Sequence, residues 1–226
     1  MIDSTAILHT TNQPLNFVAV LTGDLISSTM AGKYAVDGAM EMIEGLAQTE
    51  RRISGKDVRF ARFRGDGWQL YAQDGHSVFR LTLMVFASLR HQPHLPQTRL
   101  AAATGTAAFL PDTGLASAAG TAFNLSGQGL DDLKTQRLVY GSNHPDAHWH
   151  RALFSYLDWQ SSRWSAEQAE ALVLVFRDLS RPLHAVADTL QISRQAAQSR
   201  LKGAGFSPLW DANQAFCEKT NSMRHD

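Results

Sequence analysis

The order of strand-like and helix-like segments constrains this chain more than any other sequence feature. Short apolar or alternating runs, typical of strands, are interleaved with longer runs in which apolar residues recur at helical spacing. The strand-like segments are 17–22, 58–63, 68–71, 99–109 and 137–140, and the helical segments between them are 31–53, 77–90 and 120–133. After Gly141 every periodic segment is helical. The chain therefore combines a sheet-forming portion with an all-helical portion.

The order β-α-β-β-α-β-α-β is typical of a ferredoxin-like split β-α-β unit with one addition. We predict an α+β protein with a polar leader at 1–14, a sheet domain at 15–143 and an all-α domain at 144–226. In the sheet domain we expect the helices on one face. We also expect the first strand to be central and to pair with the first strand of the hairpin at 58–71.

Composition excludes several classes of protein. Hydrophobic residues make up 44% and charged residues 19% of the chain, which excludes a mainly disordered protein. Lysine plus arginine and aspartate plus glutamate both number 21, so a broad basic surface is also excluded. Cys217 is the single cysteine, which predicts a reducing, cytoplasmic location. The near-apolar window at 81–89 is half the roughly 20 residues of a membrane-spanning helix, so no membrane partner is expected.

Two aspartates stand where strands end. Asp24 follows the first strand, and Asp66 lies in the Asp-Gly turn of the hairpin. If the two carboxylates converge, they repel unless a cation neutralises them, and Mg²⁺ or Mn²⁺ carrying a nucleoside triphosphate suits such ligands. Gly65 and Gly67 leave room for a phosphate near the backbone. The alternative is that Asp24 is a capping residue and Asp66 an ordinary turn residue.

Four segments carry a resemblance to known proteins. They are Gly23-Asp24-Leu25-Ile26-Ser27-Ser28, Arg62-Phe63-Arg64-Gly65-Asp66-Gly67, the stretch 99–105 and the stretch 120–126. Their order and spacing resemble the catalytic domain of class III nucleotidyl cyclases, and more closely the SatD family, in which a cyclase-like domain precedes a helix-turn-helix. The resemblance implies that 15–143 is a cyclase-like palm domain, that Asp24 and Asp66 bind metal and that Arg62 contacts the base. Arg99 and Asn124 complete the predicted nucleotide site.

The chain departs from the cyclase pattern at two positions. Cyclases follow the asparagine that matches Asn124 with an arginine that stabilises the transferring phosphoryl group, whereas the stretch 124–131 has no cation and Gln128 cannot supply one. Ser117 stands roughly where cyclases place an acidic base-reading residue. We therefore predict a nucleotide-binding domain rather than an efficient cyclase. Arg99, or an arginine from a partner subunit, keeps catalysis open as the alternative.

The helical portion contains a helix-turn-helix pattern at 183–202. Val186, Ala187, Leu190, Ile192, Ala197 and Leu201 are the predicted inward residues. Ser193 is the predicted N-cap of the second helix. The predicted DNA-contacting residues are Ser193, Arg194, Gln195, Gln198, Ser199, Arg200 and Lys202. The alternative is a helical hairpin that packs on another protein.

Together these observations predict a cytoplasmic DNA-binding transcriptional regulator of the SatD type. Residues 181–203 carry a net charge of +3, which is weak for one module, so we expect a homodimer that grips two half-sites. The sheet domain would dimerise and bind a nucleotide with Mg²⁺. The alternatives are a nucleotidyl cyclase or related nucleotidyltransferase, and a protein-interaction scaffold. Trp149, Trp159 and Trp164 are expected to form the core of the helical portion.

Overall fold

The computed structural model describes residues 15–63, 65–145 and 147–221, so the predicted leader at 1–14 lies outside the described residues. The strands are β1 (Leu15–Leu25), β2 (Val58–Arg62), β3 (Gly67–Ala72), β4 (Thr98–Ala107) and β5 (Leu138–Gly141). The helices are α1 (Ser28–Ala31), α2 (Lys33–Ser54), α3 (Val78–His91), α4 (Thr121–Asp132), α5 (Ala147–Ser161), α6 (Ala166–Arg177), α7 (Leu183–Leu190), α8 (Arg194–Gly203) and α9 (Phe206–Asn221). The described part of the chain is therefore α+β, and its five strands precede α5 to α9.

The five strands form one sheet in the order β2-β3-β1-β4-β5. β1 is central and runs antiparallel to both neighbours, and β5 pairs parallel with β4. The expected pairing of β1 with the first hairpin strand was wrong, because β3 pairs with β1 and β2 is the edge strand. β3 is buried along nearly its whole length, whereas β2 is largely half-buried, so the more apolar hairpin strand takes the inner position.

Helices cover both faces of the sheet, which corrects the expectation that they pack on one face only. Ala19 and Leu21 belong to the main buried cluster with residues of α2 and α3. Val18 and Val20 point to the other face, where Phe123 of α4 packs with them. This split follows from the alternation of side chains along a strand. α4 is the helix added to the split β-α-β order, and it takes the face that α2 and α3 leave open.

The helical portion packs against α3. α3 is buried on nearly every side, and one continuous cluster of buried side chains includes Phe79 of α3, Phe154 of α5 and Phe176 of α6. α6 begins with a complete capping box, in which Ser165 and Gln168 each bond the other residue's backbone N–H. The described residues contain no helix that is both long and apolar enough to cross a membrane.

The three tryptophans do not share one environment. Trp164 is fully buried, and its indole N–H donates to the carbonyl of Ala204 at 2.9 Å. Trp149 and Trp159 are exposed, so the expectation that all three form the helical core was wrong for these two. Helical spacing does not fix which face of a helix meets the core, and α5 buries Phe154 and Leu157 instead.

Candidate functional site

Asp24 and Arg99 lie opposite each other where β1 ends and β4 begins. The Arg99 guanidinium donates from Nε to Oδ1 of Asp24 at 2.7 Å and from Nη2 to Oδ2 at 2.8 Å. This two-pronged geometry is the favoured one for arginine and a carboxylate. The hydrogen bond to Asp24, together with the charges of Asp24 and Asp66, raises the pKa of Arg99 above its ordinary value.

A buried layer fixes the backbone that carries Asp24. The indole N–H of Trp68 donates to the Thr98 hydroxyl at 3.1 Å, and that hydroxyl donates to the carbonyl of Asp24 at 2.6 Å. Gly23 lies beneath the Trp68 ring, and a Cβ built on Gly23 would lie 2.6 Å from a ring carbon. The residue before Asp24 must therefore be glycine for the indole to pack here.

Asp66 reaches the same edge of the sheet from the turn between β2 and β3. Its backbone carbonyl accepts from the N–H of Leu25 at 3.2 Å, which ties the turn to the end of β1. Its carboxylate accepts a hydrogen bond from the Ser28 hydroxyl. Gly65 adopts a positive φ of 79°, so the turn uses the conformational freedom of that glycine. The hairpin and the segment after β1 thus position the second carboxylate.

The two carboxylates open onto one pocket of about 470 Å³. Its lining residues are Asp24, Leu25, Ile26, Ser27, Ser28, Thr29, Asp66, Arg99, Lys134, Thr135, Gln136 and Arg137. The structure therefore brings Asp24, Asp66 and Arg99 together. Sequence reasoning gave no role to Ser28, although it ends the first of the four resembling segments. It missed the segment 134–137, which joins α4 to β5 and adds two cations to the pocket. The signal that points to 134–137 is its position between a helix and a strand that begins at this edge.

The pocket has partial features of a metal–triphosphate site. Two carboxylates supply hard oxygen ligands, and within the described ranges no group of three or more His, Cys, Asp and Glu side chains is placed to hold a metal ion. Both oxygens of Asp24 already accept hydrogen bonds from Arg99. A cation at Asp24 would therefore need Arg99 to turn to another anion, such as a phosphate, and would complete its coordination with phosphate oxygens or water.

The other predicted nucleotide-binding residues lie outside this pocket. Arg62 is exposed, donates to Asp37 at 2.7 Å and to the carbonyl of Gly65, and does not line the pocket. Gly65 lines a smaller adjoining pocket, and Gly67 pairs with Asp24 across the strands. Asn124 is exposed near the start of α4. The pocket segment 134–137 follows the other end of this helix, at Asp132, which is eight residues or about 12 Å along the helix axis from Asn124.

The second candidate site is the pair α7 and α8. Gln191, in the left-handed conformation with a φ of 54°, ends α7, and Ser193 caps α8 by accepting from the N–H of Ala196 at 3.1 Å. Val186, Ala187, Ala197 and Leu201 are buried between the helices, and Leu190 and Ile192 are half-buried. The tight turn and the small buried alanines hold the two helices in close contact.

The outer face of α8 is polar. Ser193, Arg194, Gln195, Gln198, Ser199 and Lys202 are exposed. Arg200 is half-buried and donates to Glu170 of α6 at 3.1 Å, so its charge is already paired. The structure thus places six of the seven predicted DNA-contacting residues on one exposed surface, and the seventh against α6.

Comparisons with known proteins give similarity to two solved cyclases. The crystal structure of the guanylyl cyclase Cya2 matches with 16% identity and a TM-score of 0.41, covering 57% of this chain and 75% of that one. The structure of a bacterial light-regulated adenylyl cyclase matches with 16% identity and a TM-score of 0.41, covering 68% and 82%. No protein-family model and no curated protein matches the chain. Both overlaps are partial, so a function has to be argued from the side chains.

Proposed function

We propose that the protein is a DNA-binding regulator that inserts α8 into the major groove. The observation that carries this proposal is the exposed, N-capped polar face of α8 beside the tight α7–α8 turn. A capped helix of this length fits the major groove, and its first turn reaches base edges. Arg194 and Gln195 stand in that first turn. Arginine suits guanine and glutamine suits adenine as bidentate partners.

The charge of the α8 face supports binding as a dimer. Arg194 and Lys202 are the exposed cations of α8, because Arg200 pairs with Glu170. Each phosphate contact adds one unit to the salt dependence of binding, so two cations give weak binding to a single half-site. Two copies on two half-sites one helical turn apart would add their contacts.

A selection from random duplex DNA with the full chain tests this proposal. We expect enriched duplexes that bind with a strong salt dependence, measured by fluorescence anisotropy. Arg194→Ala should weaken binding about tenfold to a hundredfold and relax the base preference at one position. Arg52→Ala, an exposed arginine of α2, is the matched control and should bind as the wild type does. A selection that enriches nothing, or equal binding by Arg194→Ala, would contradict the proposal.

A second function is favoured by the pocket at the end of β1. Asp24 and Asp66 would hold Mg²⁺ or Mn²⁺, and Arg99 and Lys134 would face the phosphates of a nucleoside triphosphate. The ion would neutralise the negative charge that the two carboxylates and the phosphates bring together. The chain's own residues would orient the phosphates, because Arg99 would turn from Asp24 to a phosphate when the ion takes its place beside that carboxylate. As a SatD-type or cyclase-like domain, this portion would sense or use the nucleotide.

Titration with fluorescent ATP and GTP analogues, with and without Mn²⁺, tests the second function. Asp66→Asn should lose the metal-dependent binding, since it removes a ligand charge. Asp112→Asn, an exposed carboxylate outside this pocket, is the matched control and should bind normally. Analysis of the reaction products separates binding from catalysis: a cyclic nucleotide or pyrophosphate, absent with Asp66→Asn, would identify an enzyme. Equal binding by Asp66→Asn would rule out the assigned site.

A further inference from the structure

One helix presents a row of exposed aromatic side chains that neither proposed site uses. Trp149, Ala152, Tyr156 and Trp159 of α5 and Arg163 just after it recur at alternating spacings of three and four residues. Trp149 is 60% exposed, Tyr156 38% and Trp159 52%. Spacing of three and four places them along one side of the helix. We call this row the aromatic stripe.

The side chains of the aromatic stripe are already organised. The rings of Tyr156 and Trp159 stack with centroids 5.9 Å apart and planes 29° apart. The Arg163 guanidinium lies over the Trp159 ring at 3.9 Å and also donates to the carbonyl of Trp159 at 3.0 Å. Because Arg163 covers a face of this ring, a nucleic-acid base has less ring surface on which to stack. Tryptophan, tyrosine and arginine in a rigid cluster are the composition of protein–protein hot spots.

We propose that the aromatic stripe is the contact through which two copies of this chain pair, with their α5 helices antiparallel about a two-fold axis at Tyr156. The sizes of the side chains along the aromatic stripe are self-complementary. An axis at Tyr156 places Ala152 within one residue, or about 1.5 Å along the helix, of the second copy's tryptophan at position 159, so that a small residue faces a large one. The same axis places Trp149 opposite the second copy's arginine at position 163, which is a cation–π pair. An isologous interface of this kind closes as a dimer.

The area of the aromatic stripe predicts a weak dimer. A fully buried aromatic side chain removes about 150–250 Å² from water, so three half-exposed rings offer about 300 Å² per copy. The pair would bury about 600 Å² through them, below the about 1,200 Å² of a stable specific interface. Two α8 helices on adjacent half-sites would raise the effective concentration of the second copy. The expected strengthening of the dimer by DNA rests on the proposed function, whereas the pairing of two copies does not.

The aromatic stripe also lies beside the helix that would enter DNA. Gln160 of α5 donates to the carbonyl of Ala204, the residue that follows α8, at 3.0 Å. The indole of Trp164 donates to the same carbonyl. A two-fold axis on α5 would therefore set the spacing of the two α8 helices directly, which a regulator that reads two half-sites requires.

Sedimentation equilibrium of the full chain without DNA tests the pairing. We expect a reversible monomer–dimer equilibrium, and Tyr156→Arg should raise the dimer dissociation constant at least tenfold because it places like charges on the axis. Tyr34→Arg, at an exposed tyrosine of α2, is the matched control and should leave the constant within twofold. A wild type that stays monomeric up to about 0.5 mM, or loss of the dimer in Tyr34→Arg alone, would overturn the proposal.

Cross-linking tests the axis. In a Cys217→Ala background, Tyr156→Cys should form a disulfide-linked dimer on mild oxidation, since a residue on the axis meets its own copy. Trp149→Cys should not, because the two positions would lie about 21 Å apart along the helices. A disulfide-linked dimer with Trp149→Cys but not with Tyr156→Cys would overturn the proposal. So would binding of a single-stranded oligonucleotide without metal that is lost in Tyr156→Arg, because the aromatic stripe would then be a nucleic-acid surface. Absence of DNA binding with normal cross-linking would count against the proposed function alone.

Discussion

Gly23 shows how one residue controls the geometry of the candidate pocket. The Trp68 ring passes over it and donates to the Thr98 hydroxyl, which in turn donates to the carbonyl of Asp24. Asp24 in turn holds Arg99. The position of the Asp24–Arg99 ion pair therefore depends on Gly23, where no side chain fits.

Gly23→Ala should destabilise the protein. The added methyl group would lie 2.6 Å from the Trp68 ring and 2.8 Å from the carbonyl oxygen of Arg99. Overpacking of this kind costs about 1–3 kcal/mol, which urea unfolding would measure. Gly45→Ala is the control, because a Cβ there meets no atom within 4 Å and alanine favours a helix. Equal unfolding free energies for the two variants would contradict the packing described for Trp68.

The sequence alone predicts Asp24, Asp66 and Arg99 of the pocket and misses the two other cations that line it. Asp24 and Asp66 stand at a strand end and in a tight turn, and both features are visible as short-range patterns. Lys134 and Arg137 lie in a connection that carries no motif, so only the parallel pairing of β5 with β4 brings them to this edge. The positions of Arg62 and Asn124 depend on long-range packing that motif spacing does not report.

At the scale of elements, α8 depends on a few buried side chains. Leu201 is 7% exposed and anchors α8 in the main buried cluster. Leu201→Ala should lower the free energy of unfolding by about 2–5 kcal/mol, as measured by urea unfolding. Lys202→Ala, at the exposed neighbouring position, should change it by about 0.5 kcal/mol or less. A neutral Leu201→Ala would mean that α8 faces the core with another side.

The ion pair between α6 and α8 gives a test of DNA contact. Glu170 holds Arg200 at 3.1 Å, so Glu170→Ala releases a cation beside the exposed face of α8. DNA binding should tighten, and the slope of log affinity against log salt should steepen by about 0.9 for one more phosphate contact. Glu41→Ala, at an exposed glutamate of α2, removes the same charge elsewhere and should leave the slope unchanged. An unchanged slope in Glu170→Ala would place α8 away from the phosphates.

The helices and strands were easier to predict from the sequence than the contacts between them. The order of strands and helices follows from apolar periodicity, and the cap at Ser193 follows from residue type. Two outcomes depend on which apolar surfaces meet in three dimensions. One is the pairing of β1 with β3 rather than β2, and the other is the side of α5 that is buried. Exposed Trp149 and Trp159 show that helical spacing alone does not identify the core face.

At the scale of the whole molecule, Arg137 connects the candidate pocket to the helical portion. It lines the pocket, pairs with Asp158 of α5 at 3.1 Å and donates to Ser161 at 2.9 Å. Its guanidinium also lies 5.0 Å from the centre of the Phe86 ring of α3. A ligand that draws Arg137 toward the pocket would therefore act on the end of α5, which leads to the helices proposed to bind DNA.

Methylation protection on a selected duplex tests the central claim most directly, because dimethyl sulfate modifies guanine N7 in the major groove. We expect the full chain to protect guanines in two major-groove segments about one helical turn apart. Arg194→Ala should lose protection at one guanine in each segment. Unprotected major-groove guanines on a duplex that the protein binds would contradict the claim that α8 enters the groove.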